Sequence, residues 1–164
     1  MKVFKKIALF SFFVTMSAFA QQNKTIVENA IASKVHTTLV AAVKAADLVN
    51  TLSGKGPFTV FAPVNDAFSK LPKGTVETLL KPENKAKLQA VLTYHVISGT
   101  FDSKAVVKAI KEGNGKAVLT TVQGGKLTAT LEGKNVILTD ENGGKSIITA
   151  VDITSSNGVI HVID

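Results

Sequence analysis

Apolar and polar positions change rhythm about two-thirds of the way along the chain. Up to residue 115 the apolar residues recur at helical spacing. Thr25 to Ser33 carries Ile26, Val27, Ala30 and Ile31 and predicts a short helix. Thr38 to Asn50 predicts a longer one, with Leu39, Ala42, Val43 and Ala46 on one stripe, Thr37 or Thr38 as its cap and Gly54 just past its end. Phe58, Val60 and Phe61 around Thr59 read as a buried strand, which meets Ala62-Pro63 and turns into a helix over Asp66 to Leu71. Asn65 suits the cap of that helix, with Phe68 and Leu71 facing the sheet. Thr75 is placed to cap Val76 to Leu80, and Pro82 opens a helix that puts Leu88, Val91 and Leu92 on one face. Asp102 caps a further helix through Ala105, Val106, Ala109 and Ile110, ending near Gly113.

From Lys116 the period becomes that of strands. The segments AVLTTV, KLTATLE, NVILTD, KSIITAVDIT and GVIHVID are rich in Val, Ile, Leu and Thr. Gly124-Gly125, Gly133-Lys134, Asn142-Gly143-Gly144 and Asn157-Gly158 separate them, as turns separate the strands of an antiparallel meander. Helices first and strands second give an α+β chain, and no 20–50-residue repeat interrupts it, so it reads as one domain.

The N-terminus belongs to a different logic. Lys2, Lys5 and Lys6 precede an apolar run from Ile7 to Ala20 that ends in Ala18-Phe19-Ala20. Charge, grease and an A-x-A end describe a secretory signal over residues 1–20, cut between Ala20 and Gln21. A run of roughly 14 residues is short of the ~20 that a spanning helix needs. Residues 21–24 form a short extension, and a single domain runs from 25 to 164. With signal removal, no membrane span is expected. The chain has no cysteine, which excludes a lipoprotein anchor and leaves the fold to packing alone.

Charge narrows the partners. The formal net charge is +7, and removing Lys2, Lys5 and Lys6 leaves about +4. Every basic side chain other than histidine is Lys. Arg supplies the fork that reads phosphates and base edges, so nucleic acid is not an expected partner. The lysines are dispersed and retain a general attraction to acidic surfaces.

Catalytic motifs fail on inspection. The turn Ala62-Pro63-Val64-Asn65 lacks the G-x-S-x-G of a nucleophile elbow, and Pro63 removes an N–H that a phosphate cradle would use. Gly144-Lys145-Ser146 imitates the end of a P-loop, but Thr139 stands where its first glycine belongs. Gly113-Asn114-Gly115 begins like a dinucleotide fingerprint and has Val118 at the third glycine place. His36, His95 and His161 are not at metal-ligand spacing, and there is no cysteine to complete a zinc site. Neither catalytic residues, a metal nor a cofactor is expected. An enzyme would need the dispersed histidines and carboxylates to converge in space.

Three blocks carry a family likeness. FTVFAPVNDAFSKL (Phe58 to Leu71), LTYHVISG around Tyr94-His95, and NGVIHVID (Asn157 to Asp164) resemble, in order, the signatures of the fasciclin-like domain family. Thr37-Thr38-Leu39-Val40 matches a further stretch upstream, so the resemblance spans about residues 25 to 164. It implies a wedge of mainly antiparallel strands with several helices packed along it. It also implies an exported, cell-surface or extracellular adhesion module without catalysis, in periplasm, cell envelope or matrix. Its partner would be a cell-surface or matrix component, protein or polysaccharide, or a second copy of itself.

The resemblance points to Tyr94 and His95, and to the Asp-Ile pair Asp152-Ile153, as contact residues. A core role stands beside this for Tyr94 and His95, which sit in the apolar run Val91 to Ile97. His161 alternates with Val159 and Ile163 and shares their face, while a regular strand would turn Asp152 away from Val151 and Ile153. The family continues past its last signature with another apolar stretch, whereas this chain stops at Asp164; an open edge on the last strand, ready to pair with another chain, is therefore expected. A different class of function, a lipid-like ligand held between helices and sheet, is the alternative.

Overall fold

The computed structural model describes residues 24–164. The expected signal and its cleavage point at Ala20-Gln21 lie outside the described residues. Among these residues no helix is long and apolar enough to cross a membrane.

Seven strands form one sheet in the order β2-β1-β7-β6-β5-β4-β3. They are β1 (Phe58–Pro63), β2 (Val96–Ser98), β3 (Lys116–Thr120), β4 (Lys126–Glu132), β5 (Asn135–Thr139), β6 (Lys145–Ser155) and β7 (Gly158–Ile163). The C-terminal five make the expected antiparallel meander. Its last strand then pairs in parallel with β1, from Phe58↔Gly158 to Pro63↔Ile163. β7 is thus flanked on both sides, and the open edge expected there does not exist. The true edges are β2 and β3, and they meet at one end through an Ile97↔Thr121 bridge and the Val122 N–H on Val96 O at 2.8 Å.

The β1–β7 pair is buried on both faces, which is why both strands read as near-continuous apolar runs. Val60, Ala62 and Ile160 face a helical layer, built on α1 (Ile26–Ala32), α2 (Thr37–Ala45), α3 (Val49–Ser53) and α6 (Lys85–Tyr94) through Leu39, Val43, Leu52, Leu88 and Leu92. The short α4 (Asn65–Ser69) adds Phe68 and α5 (Thr75–Leu79) adds Leu79 to its margin. Phe61 and Ile163 face the opposite way, into a second core with Leu127, Ala129 and Leu138 of the meander and Val106 and Ile110 of α7 (Ser103–Glu112).

Local chemistry shifts several expected boundaries. The single helix over Thr38 to Asn50 is two, because Asp47 takes φ 54° and turns the chain; Asp is among the few residues that tolerate this region. Asn65 does not cap the helix it begins. Its Oδ1 accepts from Thr38 N at 3.0 Å and from Thr37 Oγ1 at 3.2 Å, and its Nδ2 donates to Lys34 O at 3.3 Å. It therefore caps α2 from across the fold, and neither Thr37 nor Thr38 does. Gly74, at φ 83°, precedes α5 where Thr75 was expected to cap. Pro82 opens a 3₁₀ turn ahead of α6, and Val91 and Leu71 are exposed instead of facing the core.

Candidate functional site

The end of α6 delivers Tyr94 and His95 to the wall of a groove of about 520 Å³ between that helix and the β3–β4 and β5–β6 turns, and His95 also lines the small apolar cavity behind it. Tyr94 is half-buried and its hydroxyl donates to Lys126 O at 2.6 Å and accepts from Glu141 N at 3.4 Å. One phenol thereby ties the helix to both turns. Its ring covers Gly125, where a Cβ would stand 2.5 Å from Tyr94 Cε2. Burial raises the Tyr94 pKa, and the nearby charges of Glu141 and Asp140 add to this against the Glu141 N–H bond.

His95 lies edge-on to Tyr94, with ring centroids 6.3 Å apart. Its Nδ1–H donates to Val91 O at 2.7 Å, which leaves Nε2 as the acceptor of a neutral ring. Burial lowers the His95 pKa, opposed by that carbonyl and by Asp140. Gln123, Asp140, Glu141 and Lys145 complete the polar rim. Asp140 holds its own turn, accepting from Asn142 N and Gly144 N at 2.8 Å each.

The Asp152-Ile153 pair lies elsewhere and works inward. β6 is irregular between Ala150 and Ile153, and Asp152 sits in that irregularity at φ 59°. Its carboxylate accepts from Ser103 N at 2.7 Å and from the Ser103 hydroxyl, and so fastens the first turn of α7. Asp102 caps the same helix as expected, accepting from Ala105 N at 2.7 Å. Burial raises the Asp152 pKa, but the Ser103 bonds, His161 and Lys104 outweigh it and the net shift is downward. Ile153 packs against the helical core.

The histidines do not assemble a reaction centre. His161 is fully buried, stacked on Phe61, with Nε2–H donating to Phe101 O at 2.7 Å and Nδ1 accepting from Asp152 N at 3.4 Å. His36 pairs Nδ1 with Ser33 Oγ at 2.7 Å, and burial lowers its pKa against the opposing Ala62 carbonyl. None of the three hydrogen-bonds a carboxylate or another histidine, and among the described residues no cluster could hold a metal. The apolar cavity between helices and sheet measures about 40 Å³, against roughly 300–1,000 Å³ for small-molecule sites, and is too small for a lipid-like ligand.

Sequence reasoning missed a residue on which the fold turns. Asn157, expected only as half of an Asn-Gly turn, donates through Nδ2 to Leu52 O at 2.8 Å and Gly54 O at 2.9 Å, and accepts at Oδ1 from Ile26 N at 3.0 Å. Its backbone carbonyl accepts from Phe58 N at 3.0 Å. The next residue, Gly158, has no room for a Cβ, which would fall 1.9 Å from Phe58 O. Such close approach of a turn to a neighbouring strand was the signal available in Asn157-Gly158.

Comparison with known proteins agrees with this geometry. The family model described as the fasciclin domain matches residues 34–164. "Protein sll1483" of Synechocystis is 46% identical over 152 residues, 92% of this chain and 77% of that protein. Human periostin is 32% identical over 124 residues, 76% of this chain but 13% of periostin. A solved FAS1 domain pair from the insect cell adhesion molecule fasciclin I shares the fold, with TM-score 0.76 at 19% identity over 87% of this chain and 50% of that one. The matched segment contains the β1 block, the Tyr94-His95 helix end and the β7 block, and the chain belongs to the fasciclin domain family.

Proposed function

We propose that this protein is an exported adhesion or interaction module, without catalysis, that contacts a cell-surface or matrix component through the groove at the end of α6. The observation that supports this reading is that the family's Tyr94-His95 motif lines a groove open to solvent, with His95 Nε2 left unbonded by the protein. Family membership supports the class of function, since one solved relative by fold comes from a cell adhesion molecule. The signal expected over residues 1–20 supports export to the periplasm, envelope or exterior. Tyr94 shapes the groove and His95 is its contact; Asp152 and Ile153 hold α7 and the core.

Binding of the purified protein, starting at Gln21, to the surface of its producing cells tests this. Saturable binding that a His95→Ala variant, still folded by circular dichroism, abolishes is the expected result. Equal binding by wild type and folded His95→Ala would remove the groove from the interaction. No binding by wild type would remove the adhesion reading itself.

A further inference from the structure

α7 has a cleft at each end, and its outward stripe is basic. Lys104, Lys108 and Lys111 fall at i, i+4 and i+7, so they share one face, and all three are exposed. The opposite face, Val106 and Ile110, is spent on the second core. At the N-terminal end the stripe runs into a cleft of about 1040 Å³ that Lys104 and Lys55 both line. Past the C-terminal end lies a second cleft of about 520 Å³, lined by Lys116 and by Glu112. The helix has ten residues and so spans about 15 Å, with cations along it and beyond both ends.

Three carboxylates lie near this track. Glu112 pairs with Lys108 at 3.7 Å, both largely exposed, so the bond is weak and easily exchanged for another anion. Asp102 and Asp152 line the N-terminal cleft beside Lys104 and Lys55, with oxygens bonded to N–H groups of the first turn of α7. Five lysines therefore face solvent with a positive surplus.

We infer that the α7 track binds an acidic polysaccharide, a polymer whose carboxylates alternate with hydroxyls. Lysines act as point charges and suit carboxylates that need no fork, whereas phosphate and nucleic acid are better served by Arg, which the chain lacks. The lysine stripe itself carries no aromatic side chain on which bases could stack, and Phe101, which lines the C-terminal cleft, is half-buried. The stripe itself carries no large apolar residue to enter a bilayer; the exposed Val118 lies in the C-terminal cleft. The N-terminal cleft adds the hydroxyl side chains of Thr100, Thr154, Ser155 and Ser156, which match sugar hydroxyls. This surface shares no lining residue with the Tyr94 groove and does not depend on it.

Interferometry against immobilised polygalacturonate tests the inference without cells, so it and the groove reading can fail separately. Wild type should bind, weaken as salt rises, and ignore dextran. The triple variant Lys104→Gln, Lys108→Gln, Lys111→Gln should bind at least about tenfold more weakly. A control with equal charge loss, Lys34→Gln, Lys73→Gln, Lys134→Gln, should retain binding to within about threefold. No wild-type binding, or equal loss in both triples at unchanged melting temperature, overturns the site. Anionic phospholipid vesicles or single-stranded DNA competing as well as free polygalacturonate overturns the partner class.

Discussion

Removing the Asn157 carboxamide should cost more stability than any other single polar truncation at a turn of this protein. Its Nδ2 donates to Leu52 O and Gly54 O, and its Oδ1 accepts from Ile26 N, so it joins the ends of α1 and α3 to the entry of β7. Each bond contributes about 0.5–1.5 kcal/mol net, and a partner left without water adds to this. Asn157→Ala should therefore lose about 2–4 kcal/mol, out of the ~5–15 kcal/mol that a domain possesses. With a urea slope of about 2 kcal/mol/M, the unfolding midpoint should fall by about 1–2 M, read by far-ultraviolet circular dichroism. Asn157→Asp sharpens the test. It keeps an acceptor for Ile26 N and turns a carboxylate oxygen on two carbonyls, so it should be no more stable than the alanine variant. A shift below about 0.5 kcal/mol for Ala, or near-wild-type stability for Asp, would refute the reasoning.

Asn65→Ala should cost about 1–2 kcal/mol, the usual loss of a helix cap, with hydrogen exchange rising first in α2 and not in α4, where the residue itself lies. The Asp152 pKa is depressed in the folded state, so its contribution is complete above the unfolded value of about 3.9 and is lost as pH falls through the folded one; the stability gap between wild type and Asp152→Asn should stay constant from about pH 7 to 5 and close below about 4. Burial depresses the pKa of His36 and His95, so the unfolded chain takes up their protons first: stability does not depend on them above about 6.5 and falls as pH drops below it; NMR titration should find both rings neutral at pH 7. Gly125→Ala should displace the Tyr94 ring, and because the chain has one Tyr and no Trp, tyrosine fluorescence reports that displacement alone.

Much of the architecture was legible because periodicity follows burial. The period-2 segments from Lys116 onward became β3 to β7 in the expected antiparallel order, and the Leu39, Val43, Leu88 and Leu92 stripes became core. The parallel β1–β7 pairing was not legible, since two doubly buried strands a hundred residues apart carry no local sign of each other. Asn65 and Asn157 show the same limit for polar side chains. Both satisfy backbone groups distant in sequence, while local rules assign each to its own neighbours. Asp152 misled for a related reason. Alternation in a regular strand turns it outward, but the irregularity of β6 brings its carboxylate to Ser103.

The same polar contacts explain how a scaffold with two cores can present two surfaces. Thr59 is fully buried on β1; its hydroxyl donates to Gly99 O at 2.7 Å and accepts from Phe101 N at 2.8 Å. His161, on the neighbouring β7, takes Phe101 O. Two buried polar side chains in the most apolar strands thus grip residues 99–101, and Asp152 grips Ser103 immediately after them. The start of α7 is therefore fixed to the centre of the sheet by hydrogen bonds, while its length is fixed by Val106 and Ile110. Tyr94 does the equivalent work at the other surface, fastening two turns to α6 with one hydroxyl. Buried polar groups without partners would be costly, so their retention in strands that could be wholly aliphatic needs a return. That return is position: the lysine track and the groove wall are each held by side chains rooted in or against the sheet.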